Sequence, residues 1–421
     1  MTDTGDLLRI EPQPWMVDPA TLAVLEALTA DRALARFVGG SVRDALLGQL
    51  IGDIDIATPA PPERVIELLE KRGIKVVPTG LAHGTVTAMA GNPPRHFEIT
   101  TLRRDVETYG RKAKVLFGRD WVADAMRRDF TINALSLSAD GQLHDYVDGL
   151  ADLTARRVRF IGDPAQRIAE DYLRILRFFR FHAWYGEGAP DPEGLHACIR
   201  ERVGIDSLSR ERVRTELLKL LLAPHAAPTL ALMTETGLLG NVLGGVALLA
   251  SFENMAKVEA AAVLEPDPVR RLGALGVWVA EDGERLAQRL RLSNAEAERL
   301  TALERWWRVS PEPGGMSARA LLYRLGPQHF IDQVLVAWSR SAAGVADHAW
   351  RALAELPRTW SAPEFPLKAT DFMARGLAAG PALGAAMRAA EQAWIAADFP
   401  ADAAAIRAIA DRAAREASGT R

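Results

Sequence analysis

Phe37-Val38-Gly39-Gly40-Ser41-Val42-Arg43-Asp44, followed after seven intervening residues by Gly52-Asp53-Ile54-Asp55-Ile56, points both to an α/β head and to its chemistry. An apolar strand runs into paired glycines and then into a helix. Glycines without a Cβ let backbone N–H groups approach an anion such as a phosphate, and Ser41 is placed to cap the helix. In Asp53-Ile54-Asp55-Ile56 the period of two puts both carboxylates on one strand face and both isoleucines on the other. The isoleucines anchor the strand, while two like charges held so close repel each other and require a cation. Hard oxygen ligands beside an anion seat imply Mg²⁺, which activates an attacking hydroxyl and clamps a triphosphate. A glycine pair alone is usually only a turn, and an Asp-x-Asp alone is usually a solvated edge. Their order and spacing together make the reading specific.

Around this stretch, short β-like runs alternate with helical ones. Phe37-Val38, Ile54 to Ile56, Val76-Val77, Val86 to Met89, Phe97 to Thr100, Leu135 to Leu137 and Val158 to Ile161 are strand candidates bounded by Gly, Pro or polar residues. Beyond about Asp163 the chain turns rich in Ala, Leu, Arg and Glu. Pro and Gly clusters at Glu265-Pro266-Asp267-Pro268 and Pro311 to Gly315 punctuate helical blocks, and Ala378 to Ala414 reads as terminal helices. The expected class is α+β: a head of mixed sheet with helices over 1–147, then an all-α neck over 148–205, body over 206–300 and tail over 301–421.

Composition sets the outer bounds. With 421 residues, 48% apolar and 25% charged, the chain is too long for one ordinary core. Its single cysteine, Cys198, excludes an internal disulfide framework and any Cys-rich zinc site, so a metal must rest on oxygen or histidine. Met1 to Met16 carries acidic residues and two prolines instead of a basic region feeding an apolar stretch, and runs such as Leu217 to Leu222 are far below membrane-spanning length. A cytoplasmic protein with no membrane partner is expected. The net charge of −3 does not decide a nucleic-acid partner, because binding depends on local fields. Arg103 to Arg128 holds eight basic and four acidic residues with few helix or strand signals, and reads as a loop.

The combination of glycine turn and paired aspartates resembles the nucleotidyltransferase superfamily that includes DNA polymerase β. Its Val38-to-Asp44 form resembles bacterial tRNA nucleotidyltransferases and poly(A) polymerases. Arg127-Arg128-Asp129-Phe130-Thr131-Ile132-Asn133-Ala134 looks like the second head motif of that family. Asp148 to Asp152 through Ile161 to Pro164 looks like its turn into the neck. Glu170-Asp171-Tyr172-Leu173-Arg174-Ile175-Leu176-Arg177-Phe178-Phe179-Arg180-Phe181 matches its nucleotide-selecting helix at Asp171, Arg174, Arg177 and Arg180. At about 100° per residue the arginines sweep one sector, with Ile175, Leu176, Phe178 and Phe179 opposite. Within a turn only Glu170 and Asp171 neutralise them, so an anionic ligand is expected there.

The resemblance implies a role for each position. Asp53 and Asp55 are the catalytic, Mg²⁺-holding pair. Gly40 and Arg43 lie on the phosphate and sugar side, Arg128 makes a second triphosphate contact, and Arg177 and Arg180 complete the neck contribution. Asp171 accepts from the exocyclic amine of cytosine or adenine and Arg174 donates to the adjacent ring nitrogen or to cytosine O2, whereas G and U present the wrong groups. The implied reaction is template-free addition of C, C and A to the 3′ end of tRNA from CTP and ATP, with the acceptor stem held by basic helix faces around Arg200 to Lys219. Asp44 and Asp129 match motif positions but equally can brace neighbouring arginines. Glu98, in Phe97-Glu98-Ile99-Thr100, is either a third carboxylate near the metals or a structural residue. The loop after Arg103 corresponds to one carried by members that complete CCA, whereas a poly(A) polymerase is the alternative. A non-catalytic RNA-binding relative is the poorest reading, having no need for both Asp53 and Asp55.

Overall fold

The computed structural model describes residues 8–81, 84–109, 112–311 and 317–419. Its strands are β1 (Arg36–Val38), β2 (Ile54–Thr58), β3 (Lys75–Gly80), β4 (Thr85–Ala90), β5 (Arg95–Thr101), β6 (Arg103–Tyr109), β7 (Lys112–Phe117), β8 (Ser136–Ser138) and β9 (Leu143–His144). The helices of the same region are α1 (Pro19–Thr29), α2 (Gly40–Leu46), α3 (Pro62–Glu70), α4 (Trp121–Met126), α5 (Gly149–Thr154), α6 (Pro164–Glu170), α7 (Leu173–Tyr185), α8 (Pro192–Arg200), α9 (Arg210–Leu221) and α10 (Ala226–Glu235). Chain contacts divide the molecule into two compact units, Met1–Val242 and Leu243–Arg421. That division falls inside the segment expected as the body, because α9 packs on α7.

In the first unit seven strands form one mixed sheet in the order β3-β4-β5-β2-β1-β8-β9. Only β2 and β5 run parallel; the other neighbours are antiparallel. Strand alternation explains the layer above. Ile54, Ile56, Phe97 and Ile99 are fully buried on one face, where Val24 and Leu28 of α1 and Val65 and Leu69 of α3 also sit without exposure. Apolar burial of this kind contributes about 1.5–3 kcal/mol per large side chain, so the face carrying Ile54 fixes the opposite direction of Asp55.

The segment after Arg103 departs from the loop reading. β6 and β7 pair antiparallel as a separate two-stranded sheet, followed by α4, whose first turn is capped by the Asp120 carboxylate. Its alternation is weak as a signal because basic residues occupy the strand positions. Gly110 and Arg111 lie outside the described residues. Val158 to Ile161 is likewise not a strand: it makes a single bridge, Phe130 with Phe160. It is apolar for another reason. Phe160 stacks on Phe178 of α7 (5.4 Å between centroids), and Phe130 meets Phe160 and Phe181 at 4.9 and 5.3 Å, so this segment joins the sheet's end to the first helices of the neck.

The second unit is helical throughout its described residues. The alanine-rich end folds as two helices, Pro381–Ala396 and Ala403–Ala417, which meet through Ala386, Ala390, Ala410, Ala413 and Ala414. Small side chains let the helices approach closely. A buried ion cluster joins Glu259 to Arg270 and Arg271, and Asp332 to Arg270 and Arg299. Among the described residues no helix is long and apolar enough to cross a membrane.

Candidate active site

Gly39 occupies the turn between β1 and α2 with φ 67°, a left-handed conformation that favours glycine. Its missing Cβ matters twice, since a Cβ here would stand 3.3 Å from Arg128 Nη1 and 3.5 Å from Asp55 Oδ2. The turn, the strand carboxylate and the second-motif arginine therefore meet at one point. Ser41 does not cap α2 as the sequence suggested. It lies inside the helix, its buried hydroxyl donating to the Val38 carbonyl at 3.1 Å, and Gly39 takes the cap position.

Asp55 sits half-buried in β2, directly paired with Glu98 of the parallel neighbour β5. Asp53 is exposed and precedes the strand by one residue. Burial and the facing Glu98 push the Asp55 carboxyl up to about 7, with Asp53 adding to the repulsion against the pull of Arg128 and Arg43. Three carboxylates thus crowd together on one face of the sheet, at β2 and β5, an arrangement that favours a cation. Among the described residues no three His, Cys, Asp or Glu side chains form a complete metal-holding group. A hard cation at Asp53 and Asp55 would take its remaining oxygens from substrate and water, which is how Mg²⁺ is usually held.

The arginines are more fully engaged than sequence spacing implied. Arg43 is buried: its Nε donates to Asp44 Oδ1 at 2.9 Å, Nη1 to Asn133 Oδ1 at 2.6 Å and Nη2 to the Tyr185 hydroxyl at 2.6 Å, with the guanidinium 3.9 Å from the Tyr185 ring centroid. Arg128 donates to Asp124 and, from Nη1, to the Asn133 carbonyl at 3.2 Å. Burial alone would raise the Asp124 carboxyl, but Arg127 and Arg128 overcome it and hold it below the ordinary carboxylate range. Asp129 accepts from Phe130 N and Asn133 Nδ2 with one oxygen and from Arg177 Nε, at 2.7 Å, with the other. Against its burial, these partners hold Asp129 low. Asp44 and Asp129 both brace arginines, one of the two roles the sequence left open for them.

The neck segment differs from the single helix expected. α6 ends at Glu170, Asp171 and Tyr172 form a break, and α7 begins at Leu173. Asp171, with φ −156° and ψ 105°, is in extended backbone. Arg174 bonds to Glu170 and, at 2.6 Å, to the Arg167 carbonyl. Arg177 pairs with Asp129, and Arg180 with Glu216 of α9. Glu170 and Asp171 are the acids within a turn, as the sequence has it, but the expectation of an unpartnered basic sector is corrected: Asp129 and Glu216 arrive from other elements, and Asp171 itself is taken by Arg212, also of α9. A cleft of about 440 Å³ opens beside Glu170, Asp171, Tyr172 and Arg212.

Asn133, Tyr185, Arg212 and Glu216 escaped the sequence reading. Asn133 lies within the quoted second motif, and Tyr185 is one turn beyond Phe181 on α7 and stacked against it. Arg212 and Glu216 are one helical turn apart, a spacing that betrays no partner. The basic face around Arg200 to Lys219 is partly turned inward, since Arg212 is spent on Asp171 and Arg202 on the Ile199 carbonyl. His144 and Asp145, adjacent in sequence, serve the fold: Asp145 accepts from the N–H groups of Val147, Gly149 and Leu150, and His144 Nε2 shares a hydrogen bond of 2.8 Å with the Ser138 hydroxyl. Asp152 accepts from Thr131 at 2.6 Å, fastening the second head motif to the turn into the neck.

Comparison with known proteins returns two family models: the poly A polymerase head domain, over residues 35–159, and the probable RNA and SrmB-binding site of polymerase A, over residues 190–248. The chain is 35% identical over 384 residues to the mitochondrial CCA tRNA nucleotidyltransferase 1 of Danio rerio, covering 85% of this chain and 83% of that protein. It is 31% identical to a CCA-adding enzyme of Limosilactobacillus fermentum, over 90% and 93% of the two chains. Among solved structures it is similar to the Bacillus stearothermophilus CCA-adding enzyme in complex with CTP, with a TM-score of 0.76 and 26% identity over 95% of this chain and 98% of that one.

Proposed function

The chain belongs to the family of CCA tRNA nucleotidyltransferases and poly(A) polymerase heads, and from that premise we propose that it adds C, C and A to the 3′ end of tRNA from CTP and ATP. The observation that carries the reading is the meeting of Asp55, Gly39 and Arg128, with Asp53 and Glu98 beside it. That proximity of carboxylate oxygens to a glycine turn and a guanidinium supports a site that takes a cation together with a triphosphate.

In this reading Asp53 and Asp55 hold Mg²⁺, which when bound lowers the charge on the triphosphate and acidifies the attacking hydroxyl. The tRNA 3′-hydroxyl oxygen bonds to the α-phosphorus of the incoming nucleotide as the bond to pyrophosphate breaks. Gly40 and Arg128 bind the phosphate side. Arg43, held by Asn133 and Tyr185, orients the sugar side and keeps α2 fixed to α7. Asp171 and Arg174 read the base in place of a template, and Arg177 and Arg180 set the position of their helix through Asp129 and Glu216. The four-part division into head, neck, body and tail is retained as the functional division, with RNA contacts on the neck, body and tail. We assign catalysis to the cytoplasm, a reading supported by the bacterial relatives, while other relatives are mitochondrial.

The poly(A) polymerase reading is favoured by the descriptions of the two matched family models and by no feature of the site. The two separate on substrate: the chain is offered tRNA lacking its three terminal residues and, in parallel, an unstructured RNA of the same length. A three-nucleotide product restricted to the tRNA supports CCA addition. Long A tracts on either RNA support the alternative.

A further inference from the structure

We infer that Arg212 is a specificity-determining positioning residue, which aims the Asp171 carboxylate so that it accepts one donor from the incoming base. The inference rests on the proposed base-reading role of Asp171. Asp171 lies in the break between α6 and α7, so no helical turn sets its direction. Its Oδ1 accepts from Leu173 N at 3.1 Å and from Arg212 Nη1 at 3.2 Å, while Oδ2 accepts from Arg212 Nη2 at 2.6 Å. The arginine fork thus grips both oxygens, the geometry that fixes a carboxylate plane most firmly.

Counting acceptor sites shows what the grip leaves. A carboxylate offers about four lone-pair directions, and three are filled, so about one remains for a ligand. A single directed acceptor suits the exocyclic amine of cytosine or adenine and opposes the carbonyl that uracil or guanine carries at the same place. Arg212 is itself held by its helix. Glu216, one turn farther along α9, pairs with Arg180 and stands 3.6 Å from Arg177, so α9 sets both the acceptor and the arginine row from outside α7. Without the fork, Asp171 keeps only its bond to Leu173 N and turns freely beside the cleft.

The test uses the full chain with Arg212→Ala, Arg212→Lys, Asp171→Ala and the Asp171→Ala/Arg212→Ala double variant. For each, kcat and KM are measured for all four nucleotides on tRNA lacking its terminus. In Arg212→Ala the kcat/KM for UTP and GTP relative to CTP and ATP should rise at least tenfold. Arg212→Lys keeps the charge without the fork and should give a smaller rise, and it serves alone if the alanine variant does not fold. The double variant should match Asp171→Ala, because Arg212 acts only through Asp171. If Asp171→Ala loses selectivity but neither Arg212 variant does, Arg212 merely braces the fold and the inference fails while the base reader stands. If Asp171→Ala leaves selectivity intact, the base-reading assignment fails and this inference with it.

Discussion

Asp55 and Glu98 occupy paired positions on the two parallel neighbours β2 and β5, so their carboxylates share one face of the sheet while Ile54, Ile56, Phe97 and Ile99 fill the other. No alternative packing relieves that repulsion, because a one-residue slip would expose the isoleucines and bury the acids. Replacing Asp53 or Asp55 by Ala should therefore lower the nucleotide-addition rate at least about a thousandfold, or about 4 kcal/mol at 1.36 kcal/mol per decade. Thermal stability of Asp55→Asn in metal-free buffer should equal or exceed that of the parent. Wild-type turnover in both alanine variants would remove these residues from the chemistry.

Asp129 and Arg177 tie the second head motif to α7, so Asp129→Ala leaves a guanidinium without its main partner. The loss should be about 2–3 kcal/mol, below the 3–5 of a fully buried pair because Arg177 keeps some solvent contact. Asp129→Asn, whose amide oxygen still accepts, should cost less. Urea denaturation curves of the two variants measure both. Equal stability of the parent and Asp129→Ala would mean that the pair is not part of the fold's support.

Asp152 gives the pH dependence of the same region. Burial would raise its carboxyl, but Thr131, Arg159 and Arg157 overcome that and hold it below the ordinary range. A depressed acid contributes its stability in full above the unfolded value of about 3.9 and loses it as pH falls through the lower folded value. Asp152→Asn should consequently be less stable than the parent at pH 7, and the gap should close below about pH 4. Denaturant midpoints at several pH values read this directly, and a gap independent of pH would contradict it.

The β6–β7 hairpin stands apart from the main sheet yet leads through α4 to Arg128. Its position suits an element that moves as the pocket passes from C to A selection. Replacing residues 109–117 by a short Gly-Ser linker should spare the two C additions and slow the final A. Equal loss of both, seen on sequencing gels of the products, would make the hairpin a structural support alone.

Legibility in the sequence followed the range of the interactions. Strands with alternating partners, such as Ile54-Asp55-Ile56 and Phe97-Glu98-Ile99, could be read because their period is local. Ala378 to Ala414 likewise declared its helices. Val158 to Ile161 misled because its apolar residues serve an aromatic cluster with α7, not a ladder. The hairpin after Arg103 was hidden by charged residues that mask strand alternation. At the site, Gly39, Asp53 and Asp55 were visible as a motif, but the partners of the neck arginines were not. Asp129 lies 48 residues from Arg177 and Glu216 36 from Arg180, separations at which spacing carries no information.

The most direct test is the product made on tRNA lacking its three terminal residues with each nucleotide alone and then in pairs. CTP alone should add two residues, ATP alone should add none to this substrate, and the two together should add C, C and A and stop. UTP and GTP should add nothing in any combination. Long A tracts from ATP alone, or no addition from CTP and ATP together with Mg²⁺ supplied, would contradict the assignment.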